Sequence, residues 1–210
     1  ATQPECDLIG IGIGAPNANI HSGRIETPAN LWKFEDPADP RPDTIRTFNF
    51  VEDLGKHFGG AKVMITNDAN AAAIGEMVFG NARGMKDFAM ITLGTGVGSG
   101  IIVNGKLVTG VNYAAGEMGH TVLVYDGIQC NCGRKGCFER YCSATALISD
   151  TKEAMLANPD SKLWKVCPNI ERVNAKTVFD ANELGDETAK QVIDNYIEYL
   201  ACGITNVVNI

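Results

Sequence analysis

The sequence predicts an α/β fold, and two observations carry this prediction. An apolar run at residues 62–66 is typical of a strand, and the alanine-rich segment 67–79 that follows it is typical of a helix ended by Gly80. Farther along, apolar residues keep helical spacing over residues 183–204. Strand and helix patterns therefore mix along a chain that has neither an internal repeat nor a low-complexity stretch.

The first part of the chain predicts four further elements. Residues 6–16 form an apolar run that ends in glycine and proline, which predicts a buried strand, and residues 21–25 predict a turn into a second short strand. Prolines and aspartates dominate residues 34–43 and predict a loop. Residues 49–58 then predict a helix that ends at the glycine pair behind it.

The middle of the chain predicts a hairpin. Residues 88–93 and 100–103 are short apolar runs typical of strands. Asn104-Gly105 is a strong hairpin signal, so residues 106–108 are expected to return as the next strand. The pattern at residues 206–210 predicts another strand just beginning. This abrupt end and the strand-like start suggest a piece of something longer.

Composition and charge exclude several classes of protein. Lysine and arginine total 18 against 25 aspartates and glutamates, a net charge of −7, which argues against sequence-independent binding to nucleic acid. Apolar residues make up 45% and charged residues 20%, as in ordinary folded proteins. No apolar run approaches the ~18 residues that span a bilayer, and the first residues lack a signal-peptide pattern. We expect a folded cytoplasmic protein without membrane or nucleic-acid partners.

The seven cysteines point to a metal site instead of a disulfide framework. Their odd number prevents complete pairing within the chain, and four of them cluster within residues 130–142. In a composition typical of the cytosol, such a cluster favours a metal site over bridges. The isolated Cys6, Cys167 and Cys202 are expected to be reduced thiols of the core.

His120 and three of the clustered cysteines, Cys130, Cys132 and Cys137, form a candidate structural zinc site. One imidazole and three thiolates are a closed tetrahedral set of ligands. The two glycines between the last two ligands let the backbone turn tightly enough for both cysteines to face one ion. Such a site would stabilise a loop that buries too little apolar surface to order itself. The alternative is a chance run of free thiols beside a surface histidine.

A glycine-rich segment over residues 93–100 is a second candidate site. It lacks the Lys-Ser/Thr ending of a P-loop, and a strand follows it instead of the helix of a dinucleotide-binding fingerprint. A glycine loop between two strands can bring backbone N–H groups and the Thr95 hydroxyl against a phosphate chain. The residues alone leave two interpretations open, a phosphate-binding loop or a tight β-turn.

Polar residues at the predicted ends of elements form a third group. Asn67 and Asp68 stand where a strand passes into a helix. Glu117 and His120 are three residues apart, and Glu139 lies just beyond the last candidate zinc ligand. Carboxylates and amides at the ends of strands suit a sugar, which offers many hydroxyl groups in fixed directions. The alternatives are an N-cap role for the aspartate and solvated surface charge for the two glutamates.

Taken together, these motifs resemble those of the ROK family of repressors, open reading frames and kinases, and especially its glucokinase-like members. The resemblance extends to about Thr145. Its motifs are GIGIGAP at 10–16, ANLW at 29–32, NDANAAAIGE at 67–76, LGTGVGSG at 93–100, AGEMGH at 115–120 and CNCGRKGCFE at 130–139. The ordered series is far more specific than any one motif.

The resemblance implies a fold and a division of the chain. The family fold is that of the hexokinase, actin and heat-shock ATPase superfamily, with two α/β lobes around a cleft. Residues 1–66 would belong to the N-terminal lobe, and residues 67–210 to a linking helix and the larger C-terminal lobe, with a zinc-stabilised loop at 120–139. Family members also carry an N-terminal phosphate loop and a C-terminal adenosine segment that this sequence does not contain. The 210 residues alone are therefore expected to lack full ATP binding.

The resemblance also implies roles for single residues. Asp68 is similar to the catalytic base that accepts the proton of the sugar hydroxyl and also contacts the sugar. The other implied sugar ligands are Asn67, Glu117, His120 and Glu139, with Asn30 as a weaker candidate. The implied ATP phosphate contacts are Thr95, Gly96 and Gly98. The implied zinc ligands are His120, Cys130, Cys132 and Cys137, so His120 would serve both the metal and the sugar.

The leading hypothesis is an ATP-dependent hexose kinase that converts glucose to glucose 6-phosphate, with Mg²⁺ accompanying ATP and zinc as a structural ion. Kinases for N-acetylmannosamine, N-acetylglucosamine or fructose share much of the pattern. A sugar-sensing transcriptional repressor on the same scaffold is the alternative from another class, and a zinc-stabilised binding module without catalysis is a third. The resemblance also implies a homodimer, to which the helix over residues 183–204 could contribute an interface.

Overall fold

The computed structural model describes residues 8–26, 47–111, 113 and 115–209. Asn30, with the rest of its ANLW motif, and the predicted loop at 34–43 lie outside these described residues. The chain forms two compact units, the first built from residues 1–90 and 100–116 and the second from residues 91–99 and 117–210. The lobe boundary after residue 66 that the resemblance implies stays a prediction.

Eight strands and seven α-helices lie within the described residues. The strands are β1 (Gly10–Gly14), β2 (Ala18–Asn19), β3 (Arg24–Glu26), β4 (Thr47–Phe48), β5 (Lys62–Thr66), β6 (Phe88–Leu93), β7 (Val97–Val103) and β8 (Lys106–Leu107). The helices are α1 (Phe50–His57), α2 (Asp68–Phe79), α3 (Glu139–Cys142), α4 (Ala144–Ala157), α5 (Leu163–Val166), α6 (Ala175–Glu183) and α7 (Glu187–Val208). None of these helices combines the length and the apolarity that crossing a bilayer requires.

The first unit is built on a parallel pair of strands. Strands β1 and β5 run side by side, with Ile11 opposite Val63 and Ile13 opposite Ile65. Strands β2, β3 and β4 form a separate antiparallel sheet. Ile25 of β3 and Ile65 are both about 98% buried and form the core between these layers. The helix α2 leaves the carboxyl end of β5, which is where parallel strands of α/β proteins commonly carry their ligands.

The strand predicted at the start of the chain forms, but it is not buried. The three glycines of β1 alternate, so one face of the strand has no side chains, and the two isoleucines between them are only half-buried. Ile9, just before the strand, is 91% exposed. Within the described residues, β5 is the one strand that pairs with β1. The expectation of a buried strand is therefore wrong.

The predicted hairpin is confirmed. Strands β6, β7 and β8 form one sheet in that order, and β7 and β8 are antiparallel with Ile102 opposite Leu107. Asn104 and Gly105 both have positive φ, at 52° and 71°, as a two-residue hairpin turn of this kind requires. The carboxylate of Asp87 accepts a hydrogen bond from the Asn104 N–H at 2.8 Å and so fixes the turn.

The second unit has a helical core. Leu147 of α4, Leu163 of α5, Val178 of α6 and Ile193 of α7 belong to one buried apolar cluster. The sequence between residues 154 and 178 gave no clear pattern, because its helices are short and broken by turns. Helices α4, α6 and α7 all contact one another, so this cluster joins the helices of the unit.

Helix α7 continues to Val208, so the strand predicted at 206–210 is wrong. The β-branched pair Val207-Val208 suggested a strand, but the less exposed positions 200, 203 and 207 keep the spacing of a helix. Gly203 does not end the helix either. A side chain at this position would overlap the ring of Phe138, which is fully buried. The glycine therefore provides the space that this ring occupies.

The start of α7 depends on one buried carboxylate, that of Asp186. Its Oδ1 accepts from the Ala189 N–H at 2.6 Å, and its Oδ2 accepts from the Lys162 N–H at 2.6 Å and from the Ser161 hydroxyl at 3.0 Å. Burial alone would raise the pKa of this carboxyl, but the two N–H groups and the hydroxyl bring its pKa below the ordinary 3.8. The ionised side chain therefore joins the loop before α5 to the start of α7.

Asp186→Ala should destabilise the protein by about 2–3 kcal/mol, because it removes a helix cap and leaves buried donors without an acceptor. The measurement is the midpoint of urea unfolding of the full-length protein. Since the folded-state pKa lies below the unfolded value, the carboxylate stabilises the fold above about pH 4 and stops doing so as the pH falls through the lowered pKa. The difference in unfolding free energy between wild type and the Asp186→Ala variant should therefore become smaller as the pH falls below about 4. The control is Asp180→Ala, which removes an exposed ion pair with Lys176 and should cost less than about 1 kcal/mol.

Candidate functional site

Asn67 and Asp68 lie at the carboxyl end of the parallel strand pair, in the first unit. The side chain of Asn67 is the N-cap of α2 and accepts from the Ala69 N–H at 2.9 Å. The Asp68 Oδ1 accepts from the same N–H at 2.9 Å, and the residue is exposed as the first residue of the helix. Gly14 at the end of β1 comes close, since a side chain there would lie 3.3 Å from the Asp68 Cα. The N-cap role considered for Asp68 thus belongs to Asn67, and the aspartate is available for other contacts.

The glycine-rich segment divides between a tight loop and a strand. The loop is only residues 94–96, because β7 already begins at Val97, so the strand start expected at residue 100 is wrong. Gly98, an implied phosphate contact, lies within β7. A side chain at Gly100 would lie 2.6 Å from the Cβ of Ala73. The last glycine therefore serves the close packing of α2 on β7.

The start of α4 anchors the glycine loop. The Ala144 N–H donates to the Gly94 carbonyl oxygen at 2.8 Å, and the Thr145 hydroxyl donates to the Thr95 carbonyl oxygen at 2.8 Å. Both carbonyl groups therefore point toward α4. The Thr95 residue itself is exposed, so its hydroxyl is accessible to a ligand.

Glu117 precedes a short 3-10 helix, Met118–His120, in the second unit, and His120 is the last residue of this helix. The Met118 N–H donates to the buried Ser99 hydroxyl of β7 at 3.0 Å. A side chain at Gly119 would overlap the carbonyl oxygen of Val97, so only glycine allows this helix so close to the strand. The exposed Glu117 and the half-buried His120 are thus held beside the first residues of β7.

Glu139, the first residue of α3, reaches the same part of β7. Its Oε2 accepts a hydrogen bond from the Val97 N–H at 3.0 Å, across 42 residues of sequence. The carboxylate lies directly against Gly96. Three of the predicted sugar ligands in the second unit therefore stand around the junction between the glycine loop and β7.

The four predicted zinc ligands lie together. The imidazole nitrogen and the three sulfur atoms all lie within 4.8 Å of one another. His120 Nδ1 is 3.7 Å from Cys130 Sγ, and Cys132 Sγ is 3.6 Å from Cys137 Sγ. A tetrahedral zinc ion holds its sulfur and nitrogen ligands roughly 3.5–3.8 Å apart, so this donor set fits zinc. The histidine uses Nδ1 on the cluster side, which leaves Nε2 for another contact.

The loop around the cluster is turned by its glycines and by Arg134. Gly133 and Gly136 have φ values of 88° and 74°, as the tight turn predicted for them requires. The Arg134 carbonyl accepts from the Cys130 N–H at 2.8 Å, and its guanidinium donates to the His120 carbonyl at 2.6 Å. Arg134 thus connects the backbone at His120 with the backbone at Cys130.

The thiols of the cluster differ in their electrostatic surroundings. A backbone hydrogen bond from Arg134 lowers the pKa of the Cys132 thiol to about 6. Burial raises the pKa of the Cys137 thiol to about 12, and contacts with the other two cysteines add to the shift. The raised pKa disfavours the thiolate of Cys137 at neutral pH, and a divalent cation bound at the cluster would favour it.

Sequence reasoning missed the residues that position the site. Val97 and Ser99 bind Glu139 and Met118, and Arg134 supports the metal loop. One signal in the sequence could have found two of these residues. Residues 97 and 99 are two positions apart, so in a strand that begins at Val97 they face the same side. Arg134 acts mainly through its backbone, and the sequence holds no sign of that. Asn30 lies outside the described residues.

Comparison with protein families and curated proteins gives consistent matches. The family described as ROK matches residues 7–210. A glucokinase from Halalkalibacterium halodurans is 38% identical over 209 residues, covering 99% of this chain and 59% of the relative. A xylose repressor from Bacillus spizizenii is 32% identical over 210 residues, covering 99% of this chain and 47% of that protein. The chain thus spans about half to three-fifths of the length of these relatives.

Among solved structures, a ROK family glucokinase from Streptomyces griseus, in complex with glucose and AMPPNP, matches with a TM-score of 0.77. It is 31% identical, and the match covers 97% of this chain and 62% of that one. The α/β architecture therefore matches that of a ROK sugar kinase over nearly all of the chain.

Proposed function

The chain belongs to the ROK family, and from this premise we propose that the full-length protein is an ATP-dependent hexose kinase, with glucose as the first candidate substrate. The similarity to glucokinases supports the reaction class. The observation that carries the proposal is the position of Asp68. It lies exposed at the carboxyl end of β5, while Asn67 caps the helix in its place.

Asp68 would act as the base for the sugar hydroxyl. A carboxylate at a helix N-terminus is stabilised as the anion and is a weak base. A weak base suffices here, because phosphoryl transfer passes through a loose transition state in which positioning and charge neutralisation contribute most. The aspartate would orient the attacking hydroxyl and take its proton late in the step.

Asn67, Glu117, His120 and Glu139 would bind the other hydroxyl groups of the sugar. The two oxygen atoms of a carboxylate both accept hydrogen bonds, so a carboxylate can bind two adjacent hydroxyl groups of a sugar. His120 Nε2 would face the sugar while Nδ1 binds the metal. Zinc, held by His120 and three cysteines, would supply rigidity to this loop and no reactive water, because protein groups fill all four positions.

The glycine loop would receive the phosphate chain of ATP, whose charge Mg²⁺ partly neutralises. Thr95 and Gly96 would contact phosphate oxygens through the hydroxyl and the backbone, and Gly98 would leave space at the start of β7. The proposal includes a homodimer, which the molar mass of the full-length protein in solution would reveal.

A coupled assay of ADP release tests the proposed function. The full-length protein is supplied with ATP, Mg²⁺ and, in turn, glucose, fructose, N-acetylglucosamine and N-acetylmannosamine. We expect glucose to give the highest kcat/KM. A different preferred sugar would revise the substrate, and no ADP release with any sugar would contradict the kinase.

A sugar-responsive transcriptional repressor is the second candidate, because a xylose repressor matches as much of the chain as the glucokinase does. A repressor needs the sugar ligands and the metal loop but not the base. It would bind a DNA fragment and release it when sugar is added, without consuming ATP. DNA binding that responds to sugar in a protein that releases no ADP would favour this candidate.

A further inference from the structure

The carboxylate of Glu139 links two sites that the proposed function treats separately. It is an implied sugar ligand, yet its Oε2 accepts from the N–H of Val97, the first residue after the glycine loop. Thr95 and Gly96 of that loop are implied phosphate contacts. One carboxylate therefore belongs to both, and its hydrogen bond joins the sugar ligand to the end of the loop, whose earlier residues are held by the start of α4.

Gly96 provides the space for this bond. A Cβ added at Gly96 would overlap Oε2 of Glu139 and lie 3.1 Å from its Cδ. The overlap involves the end of a flexible side chain and no backbone atom. An alanine at 96 is therefore tolerated by the fold, but it pushes the carboxylate out of its place.

An alanine substitution at Gly94, in the same loop, is the matched control for the substitution at Gly96. A Cβ at Gly94 meets no atom within 4 Å among the described residues. Neither Gly94 nor Gly96 has a positive φ, so an alanine brings no backbone strain at either position. The two substitutions add the same methyl group, and only the one at residue 96 disturbs Glu139.

We propose that Gly96 is a positioning residue for the sugar pocket, and that the bond from the Val97 N–H to Glu139 couples the sugar ligand to the phosphate loop. This inference rests on the proposed sugar kinase function. It predicts that a substitution in a phosphate loop weakens binding of the sugar. It also predicts that removing a sugar ligand weakens binding of the nucleotide.

The first experiment compares Gly96→Ala with Gly94→Ala in the full-length protein. Isothermal titration measures the Kd of glucose alone and of AMPPNP alone. We expect Gly96→Ala to raise the glucose Kd about tenfold, which corresponds to about 1.4 kcal/mol. Gly94→Ala should leave the glucose Kd within about twofold of wild type, whatever it does to AMPPNP. A glucose Kd unchanged by Gly96→Ala would overturn the proposal.

The second experiment compares Glu139→Ala with Glu139→Gln and does not depend on the stability of the Gly96 variant. Both variants remove the negative charge and should weaken glucose binding. The glutamine oxygen can still accept from the Val97 N–H, whereas alanine cannot. We therefore expect Glu139→Ala to raise the AMPPNP Kd severalfold and Glu139→Gln to leave it near wild type. Equal AMPPNP binding by both variants would overturn the proposal.

The wild-type titrations separate this inference from the proposed function. Wild type that binds neither a hexose nor AMPPNP contradicts the kinase itself. Wild type that binds both, with a glucose Kd insensitive to Gly96→Ala, contradicts only the coupling through Glu139. If the ADP assay selects another hexose, that hexose replaces glucose in every titration.

Discussion

Asp68→Asn should lower kcat of the full-length protein by about 10²-fold or more, because a positioned base contributes about 10²–10⁴-fold to proton transfer. The asparagine keeps the size of the side chain and can still accept from the Ala69 N–H, so the start of α2 should be unchanged. It cannot accept the proton of the sugar hydroxyl. The sugar Kd should therefore rise only a few-fold, while kcat in the ADP assay falls by about 10²-fold or more.

Asp53→Asn is the control for this prediction. Asp53 is also an exposed aspartate near the start of a helix in the first unit, but it lies in α1 and not at the end of β5. Its substitution removes the same charge and should leave kcat unchanged. Near-normal turnover of Asp68→Asn, or an equal loss in both variants, would contradict the assignment of Asp68 as the base.

Cys137→Ser should abolish zinc binding and destabilise the protein. Cys137 is fully buried, and its sulfur lies 3.6 Å from that of Cys132. Loss of a structural metal is among the few changes that cost more than about 4 kcal/mol. Since 1 kcal/mol corresponds to roughly 2–4 °C in a domain of this size, Tm should fall by roughly 10 °C. Atomic absorption and thermal unfolding of the full-length protein measure the two effects.

Cys202→Ser provides the comparison. Cys202 is exposed on α7, so the expectation that its thiol lies in the core is wrong, and it is not one of the four clustered residues. Its substitution should leave about one zinc ion per chain, the content of a closed site, and should not change Tm. Full zinc content in Cys137→Ser, or wild-type protein that carries no zinc after preparation without chelators, would contradict the metal site.

The helices and strands with a clear apolar pattern or a clear terminating residue could be predicted from the sequence. Strands β5 and β6 and helix α2 have the predicted bounds within one residue, because apolar runs and the break at Gly80 define them. The four side chains that the structure brings together as a candidate metal cluster could be grouped from residue type and spacing, because one imidazole and three thiolates form a closed set of ligands.

The features that the sequence did not predict depended on contacts between residues distant in the sequence or, in one case, on a misleading local pattern. The start of β7 was missed because Gly98 and Gly100 suggest a loop, while the structure uses Gly100 to let α2 approach. The end of α7 was missed because Val207-Val208 suggest a strand. The bond between Glu139 and Val97 joins residues 42 positions apart, and no local pattern reports it.

Gly203 in helix α7 has a consequence for natural variants of the protein. Phe138 fills the hollow at Gly203 and stands in the chain between Cys137 and Glu139. Even the smallest side chain at 203 would displace the ring, and with it the proposed metal ligand Cys137 and the proposed sugar ligand Glu139. A mutation in helix α7, at a residue that is not itself a proposed ligand, would then have the effect of a mutation in the candidate site. We therefore expect substitutions of Gly203 among the variants of this protein that have lost activity.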